Sequence, residues 1–118
     1  MENKNELIRE EVVVGDAGGI VLIEIIDIEE YAKRGERPPH AKTYRFRVDD
    51  HYYTSEKSEL TGRQVLAFAG KTPEAYHLRL RVRGQVRSIS PDDVVDLREH
   101  HLERFTTIPR ENTDGESR

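Results

Sequence analysis

The chain has 118 residues, 35% of them hydrophobic and 36% charged, with a formal net charge of -4. That composition supports one modest core and gives no global pull toward nucleic acid or anionic lipid. The absence of cysteine excludes disulfides, thiolate metal sites and a cysteine nucleophile or thioester carrier within the chain.

The N-terminal residues 1–10 are polar and are expected to be disordered. They show no basic run leading into an apolar stretch, so no signal peptide is expected and a cytoplasmic location is the default. Residues 11–40 read as an N-terminal extension. Val12-Val13-Val14, a Gly-rich turn at 15–19 and the β-branched run 20–26 make a candidate hairpin. The apolar run 20–28 is broken by Glu24 and Asp27 and is far short of the roughly 20 residues that span a bilayer. Asp27 caps a short helix with Glu30 as a loose reciprocal partner, Gly35 stops it, and Pro38-Pro39 enforces an extended linker.

The periodicity then sharpens. Residues 43–48 alternate strictly, with Tyr44, Phe46 and Val48 on one face, and Asp49-Asp50 turns the chain into a second strand at 51–54. A polar loop follows at 55–59. Thr61 is a good N-cap with Gln64 three residues later, and Val65, Leu66 and Ala69 form a helical stripe with Phe68 beside it. Gly70 ends this helix. Residues 76–83 alternate again, with Leu78, Leu80 and Val82 inward and Arg79, Arg81 and Arg83 outward, which predicts a sheet covered on one face only. A turn at 83–85 leads to a returning strand at 86–89. Val94, Val95 and Leu97 read as a short turn or helical piece, and 104–108 as the last strand, stopped by Pro109. The polar tail 110–118 is expected to be flexible. The order, one helix across one mixed sheet, is a two-layer α+β architecture.

Particular words carry a resemblance. Glu30-Tyr31-Ala32 and Pro38-Pro39 lead into Tyr44-Arg45-Phe46-Arg47-Val48-Asp49. Leu60-Thr61-Gly62-Arg63, Leu66-Ala67-Phe68-Ala69-Gly70, Pro91-Asp92-Asp93-Val94-Val95-Asp96-Leu97 and Glu103-Arg104-Phe105 follow. This string resembles the bacterial multi-ubiquitin family, ubiquitin-like proteins found beside ubiquitination-type enzymes. The resemblance implies a β-grasp domain over 41–109 with an N-terminal β-rich extension. It also implies a protein modifier rather than an enzyme. Family members end in a polar tail closing on glycine. Here Arg110, Glu111, Asn112, Thr113 and Asp114 lead to Gly115, and three residues follow. The implied chemistry is removal of Glu116, Ser117 and Arg118 by a peptidase. Gly115 is then joined to targets by activating-type and conjugating-type enzymes. The tail has one glycine where ubiquitin ends in two, and one β-grasp copy is present.

Arg45, Arg47, Arg79, Arg81 and Arg83, with Arg87 beside them, sit at alternate strand positions and are read as a face for an acidic partner, against a merely solvated face. Nucleic-acid binding fits poorly because Tyr44 and Phe46 point inward, leaving no stacking platform. Residues 12–28 are too apolar for a free tail and either pack on the domain or pair with another chain; Val12, Val14, Ile20 and Leu22 are read as a homo-oligomer contact, which allows a non-covalent self-assembling scaffold as the alternative function. The five histidines (His40, His51, His77, His100 and His101) fall in no metal motif, and His100-His101 reads as a surface loop. The acidic turns at Asp49-Asp50 and Asp92-Asp93 read as turn chemistry rather than a calcium site. No nucleophile–base pair, phosphate loop, metal or cofactor site stands out.

Overall fold

The computed structural model describes residues 12–14 and 21–111. The residues read as a disordered start and the turn at 15–19 lie outside the described residues. β1 (Val12–Val14) and β2 (Val21–Asp27) pair antiparallel, with Val13 opposite Leu22. Their β-branched residues favour the extended backbone. Asp27 ends β2 and accepts the Glu29 N–H at 3.0 Å, so it caps α1 (Ile28–Lys33). The cap runs to the second helical residue, and the Glu30 N–H also acts on the Asp27 carboxylate. Gly35, at φ 71°, takes the left-handed turn that ends this helix. Pro38 is buried beyond it.

β3 (Ala41–Val48) and β4 (His51–Ser55) form the expected hairpin, with Phe46 opposite Tyr53. β5 (Glu59–Thr61) leads into α2 (Gly62–Phe68). Thr61 Oγ1 accepts the Gln64 N–H at 3.1 Å and Gln64 Oε1 accepts the Thr61 N–H at 2.9 Å, a complete capping box. β6 (Tyr76–Val82) and β7 (Gln85–Ile89) make the second hairpin, β8 (Val94–Asp96) is short, and β9 (Leu102–Pro109) is last. The residues read as a loop before Thr61 and a helical piece at Val94 are thus partly strands. β5 and β8 pair with each other, burying Leu60 opposite Val95. Three-residue strands are too short to show a period of two.

The main sheet runs β1-β2-β3-β9-β6-β7, with β4 also bonded to β3. β3 lies parallel to both β2 and β9; every other pairing is antiparallel. Tyr44, Phe46, Val48, Leu78, Leu80 and Phe105 point to the α2 side and are buried. Phe46 is the centre of this layer, edge-on to Phe68 at 5.2 Å and to Phe105 at 5.9 Å.

The sheet is not open on its second face at β3, as the arginine pattern had suggested. Arg45 is 7% exposed, its guanidinium 3.8 Å from Asp27 and stacked 3.8 Å over the Tyr52 ring. Arg47 meets Glu29 at 2.7 Å. Two acidic residues of the extension close this part of the face. Burial pushes the Asp27 carboxyl up, and the Glu29 N–H and Arg45 draw it back only in part. The pair therefore holds register at an electrostatic cost rather than adding free stability.

Two substitutions test this construction. Gly62 is buried, and a Cβ there would lie 2.4 Å from the Ser90 carbonyl oxygen, a backbone atom that cannot swing aside. Gly62→Ala is expected to cost about 1–3 kcal/mol in urea unfolding, and an unchanged midpoint would show that the Ser90 loop yields. Asp27→Asn keeps a good capping acceptor and removes a charge that burial already disfavours, so it is expected to cost no more than about 1 kcal/mol. Arg45→Met leaves the Asp27 carboxylate buried without its cation and is expected to cost about 3–5 kcal/mol, largely recovered when Asp27→Asn is added; no recovery would mean that the Arg45 contact with Tyr52, not the charge, governs this joint.

Candidate functional site

The place where the chain leaves the sheet is built from three elements. Pro109 still pairs with Tyr76 across β6 and β9, since proline lacks only the donor. Arg110 then donates its N–H to the Ala75 carbonyl at 2.8 Å and its Nε–H to the Pro73 carbonyl at 2.7 Å, while Nη1 lies 3.3 Å from His77 Nε2. Arg110 was expected in the free tail; these bonds hold it against the α2–β6 loop instead. Glu111 is exposed and has no regular structure. Asn112, Thr113, Asp114 and Gly115 lie outside the described residues.

Just before this exit, the β3–β4 turn grips β9. Asp49 takes φ 55°, which Asp tolerates better than most residues. Its Oδ1 accepts the Thr107 N–H at 2.9 Å, and its Oδ2 accepts Thr107 Oγ1–H at 2.6 Å and Lys71 Nζ–H at 3.1 Å. Burial alone would raise this carboxyl, but the bonds from Thr107 and Lys71 outweigh it and hold it below its ordinary value.

The arginines separate into two groups. Arg45 and Arg47 are taken by Asp27 and Glu29. Arg79 is exposed and forms no ion pair among the described residues, and Arg81 is 3.2 Å from Glu103. Arg83 sits in the turn at φ 54°. Arg87 faces the α2 side, opposite Leu80, and pairs with Glu99 at 3.0 Å. Arg104 joins the outer face beside Arg81, a member the strand pattern missed; its place immediately before the buried Phe105 was the available signal.

Val12 and Val14 lie on β1 and Leu22 on β2, a hairpin joined to the sheet through β2. Ile20 lies outside the described residues. A groove of about 790 Å3 runs between β4 and α2, lined by Thr43, Thr54, Leu60, Gln64, Ala67 and Phe68. Phe68, off the helical stripe, was its only sign in the sequence. His100 and His101 stack with ring centroids 3.8 Å apart, and His100 Nε2 is 2.9 Å from the Gly35 carbonyl oxygen. Among the described residues no three His, Cys, Asp or Glu side chains gather to hold a metal ion, and no helix is long and apolar enough to cross a membrane.

The grip on β9 is pH-dependent in a defined direction. A carboxylate held below its unfolded value stabilises the fold above that value, and the contribution is lost as pH falls through the folded one. Asp27 and Glu29, both raised chiefly by burial, act oppositely: their contribution is present in acid and lost as pH rises through their folded values. Below about pH 4 the amides of Thr107 and Arg110 are expected to lose hydrogen-exchange protection before those of β2 and α1. Asp49→Asn should remove the acid step. Loss of protection over all strands at once would contradict this assignment.

The multiubiquitin family model matches residues 44–110, from β3 to the anchored Arg110. Comparison with curated proteins and with solved structures gave no match. The matched span covers more than half of the chain, and its mixed α+β architecture is compatible with a ubiquitin-like fold. The chain belongs to the multiubiquitin family.

Proposed function

We propose that this chain is a bacterial ubiquitin-like protein modifier of β-grasp fold, processed at its C-terminus and joined to target proteins through Gly115. Strand order supports the fold reading. The hairpin of β3 and β4, then α2, then β6, β7 and β9 follow in sequence, and β9 returns parallel beside β3. That is how a β-grasp sheet wraps its helix.

The observation that carries the functional reading is the exit of the chain from the sheet. Among the described residues Arg110 is the last with a bond to the domain, five positions before Gly115. Five residues reach at most about 17 Å. A carboxylate at Gly115 thus enters an enzyme cleft of that depth while the sheet stays outside. Glycine, without a Cβ, suits close backbone passage.

The steps balance with this chain supplying the carboxylate and the partners supplying the thiolate and the amine. A peptidase adds water across the Gly115–Glu116 bond and releases residues 116–118. An activating enzyme joins the Gly115 carboxylate to the AMP unit of ATP with loss of pyrophosphate. An enzyme thiolate displaces AMP to form a thioester. A target amine then displaces the thiolate and leaves an amide bond. A modifier without cysteine is compatible with this division of labour.

The test is the intact mass after exposure to the candidate peptidase, followed by conjugation with activating-type and conjugating-type enzymes. Loss of Glu116, Ser117 and Arg118 is expected, and Gly115→Ala should abolish conjugates while leaving the unfolding midpoint unchanged. Undiminished conjugates from Gly115→Ala would remove Gly115 from the mechanism. Full function from a chain cut after Pro109 would replace it with the non-covalent scaffold.

A further inference from the structure

Register places arginines side by side on the outer face of the sheet. Val48 lies opposite Phe105 in the parallel pair, so Arg47 and Arg104 share the other face. Arg104 lies opposite Arg81 in the antiparallel pair. Arg47, Arg104 and Arg81 therefore form one rung across β3, β9 and β6, with strands about 5 Å apart. Like charges directly opposite one another on a sheet are destabilising. Two carboxylates answer the three: Glu29 at 2.7 Å from Arg47 and Glu103 at 3.2 Å from Arg81. Arg104 forms no salt bridge among the described residues, and neither does Arg79, one step along β6 opposite Thr106.

The same face already has one occupant. Asp27 and Glu29, two residues apart on one segment, sit on Arg45 and Arg47. Beyond it on the same face lie Arg104 and Arg81, both half-buried, with Arg104 close enough to act on the Glu29 carboxylate, and the exposed Arg79. At its margins Val86 is 54% exposed opposite Arg81, and Ile108 is 37% exposed opposite His77.

We propose that this open half of the face, centred on Arg79, Arg81 and Arg104, docks an acidic segment of another protein, with carboxylates at alternate positions and apolar residues reaching Val86 and Ile108. The docking repeats between chains what Asp27 and Glu29 do within one. Charge complementarity and continuity with the occupied half define the partner. Nucleic acid fits less well: Glu29 and Glu103 stand on the face, the Tyr52 ring on it is already stacked against Arg45, and the chain is net negative. The proposal stands apart from conjugation and applies to a processed or unprocessed chain alike.

The test is an NMR titration of the full chain with a short peptide alternating glutamate with valine and serine, and separately with single-stranded oligouridylate. Saturable shifts are expected at Arg79, Arg81, Arg104 and Ile108 with the peptide. Arg79→Ala and Arg104→Ala should each weaken binding about fivefold, and the pair more than tenfold, while Arg63→Ala on α2 stays within about twofold. Arg79 is exposed, so its variant alone serves if Arg104→Ala fails to fold. Absence of saturation at millimolar peptide, equal weakening by Arg63→Ala, or tighter binding of oligouridylate through the same arginines would each overturn the proposal.

Discussion

One edge of β3 is shared between two partners. Along residues 41–45 β2 bonds to it in parallel, and at Val48 β9 does the same. β4 pairs with β3 over Tyr44 to Val48 and overlaps both, so it must occupy the opposite edge. A strand has only two edges, and β2 therefore has to end where β9 begins. The last β2 residue paired with β3 is Asp27, opposite Arg45. Asp27 turns the chain out of the sheet by capping α1, and in the same position its other oxygen meets Arg45. The extension is thus fixed by backbone pairing first, and the ion pairs follow from the register that pairing sets.

That order explains why a costly pair is tolerated. Asp27 is buried, and its carboxyl is pushed up rather than down, so the charge is poorly compensated. Guanidinium is weakly hydrated for a cation, and stacking over Tyr52 gives Arg45 a flat contact that a lysine could not reproduce. A one-residue slip of β2 would bring a neighbour of Asp27 opposite Arg45 and leave that charge buried alone. The pair consequently penalises wrong registers more than it stabilises the right one.

Legibility in the sequence followed the same physics. The period-two runs at Tyr44–Phe46–Val48 and Leu78–Leu80 were readable because each alternates apolar residues with arginines, and the capping box at Thr61 and Gln64 because it is purely local. β5 and β8 were hidden, since Leu60 and Val95 gain their partners only after the chain has returned over some 35 residues. Arg45 and Arg47 looked like their neighbours Arg79 and Arg81. Alternation separates faces but does not reveal what covers them, and here the cover comes from Asp27 and Glu29, far enough upstream to leave no periodic trace. Arg110 was misjudged for a related reason. A proline ends a strand pattern locally, yet the acceptors at Pro73 and Ala75 lie on another element.

β9 joins the two regions proposed as functional. Its residues alternate: Phe105 and Thr107 face inward to the core and to Asp49, while Arg104, Thr106 and Ile108 face outward. Inward contacts fix the strand between β3 and β6; outward side chains carry the arginine rung at one end and the exit at the other. A load applied to the tail would act along β9 and be resisted by the whole β6–β9 ladder together with the Asp49 grip, in a shear geometry that strains many bonds at once. A partner seated on the outer face would touch that same strand. Both proposed regions thus lie on one strand held on either side by β3 and β6 and gripped by Asp49.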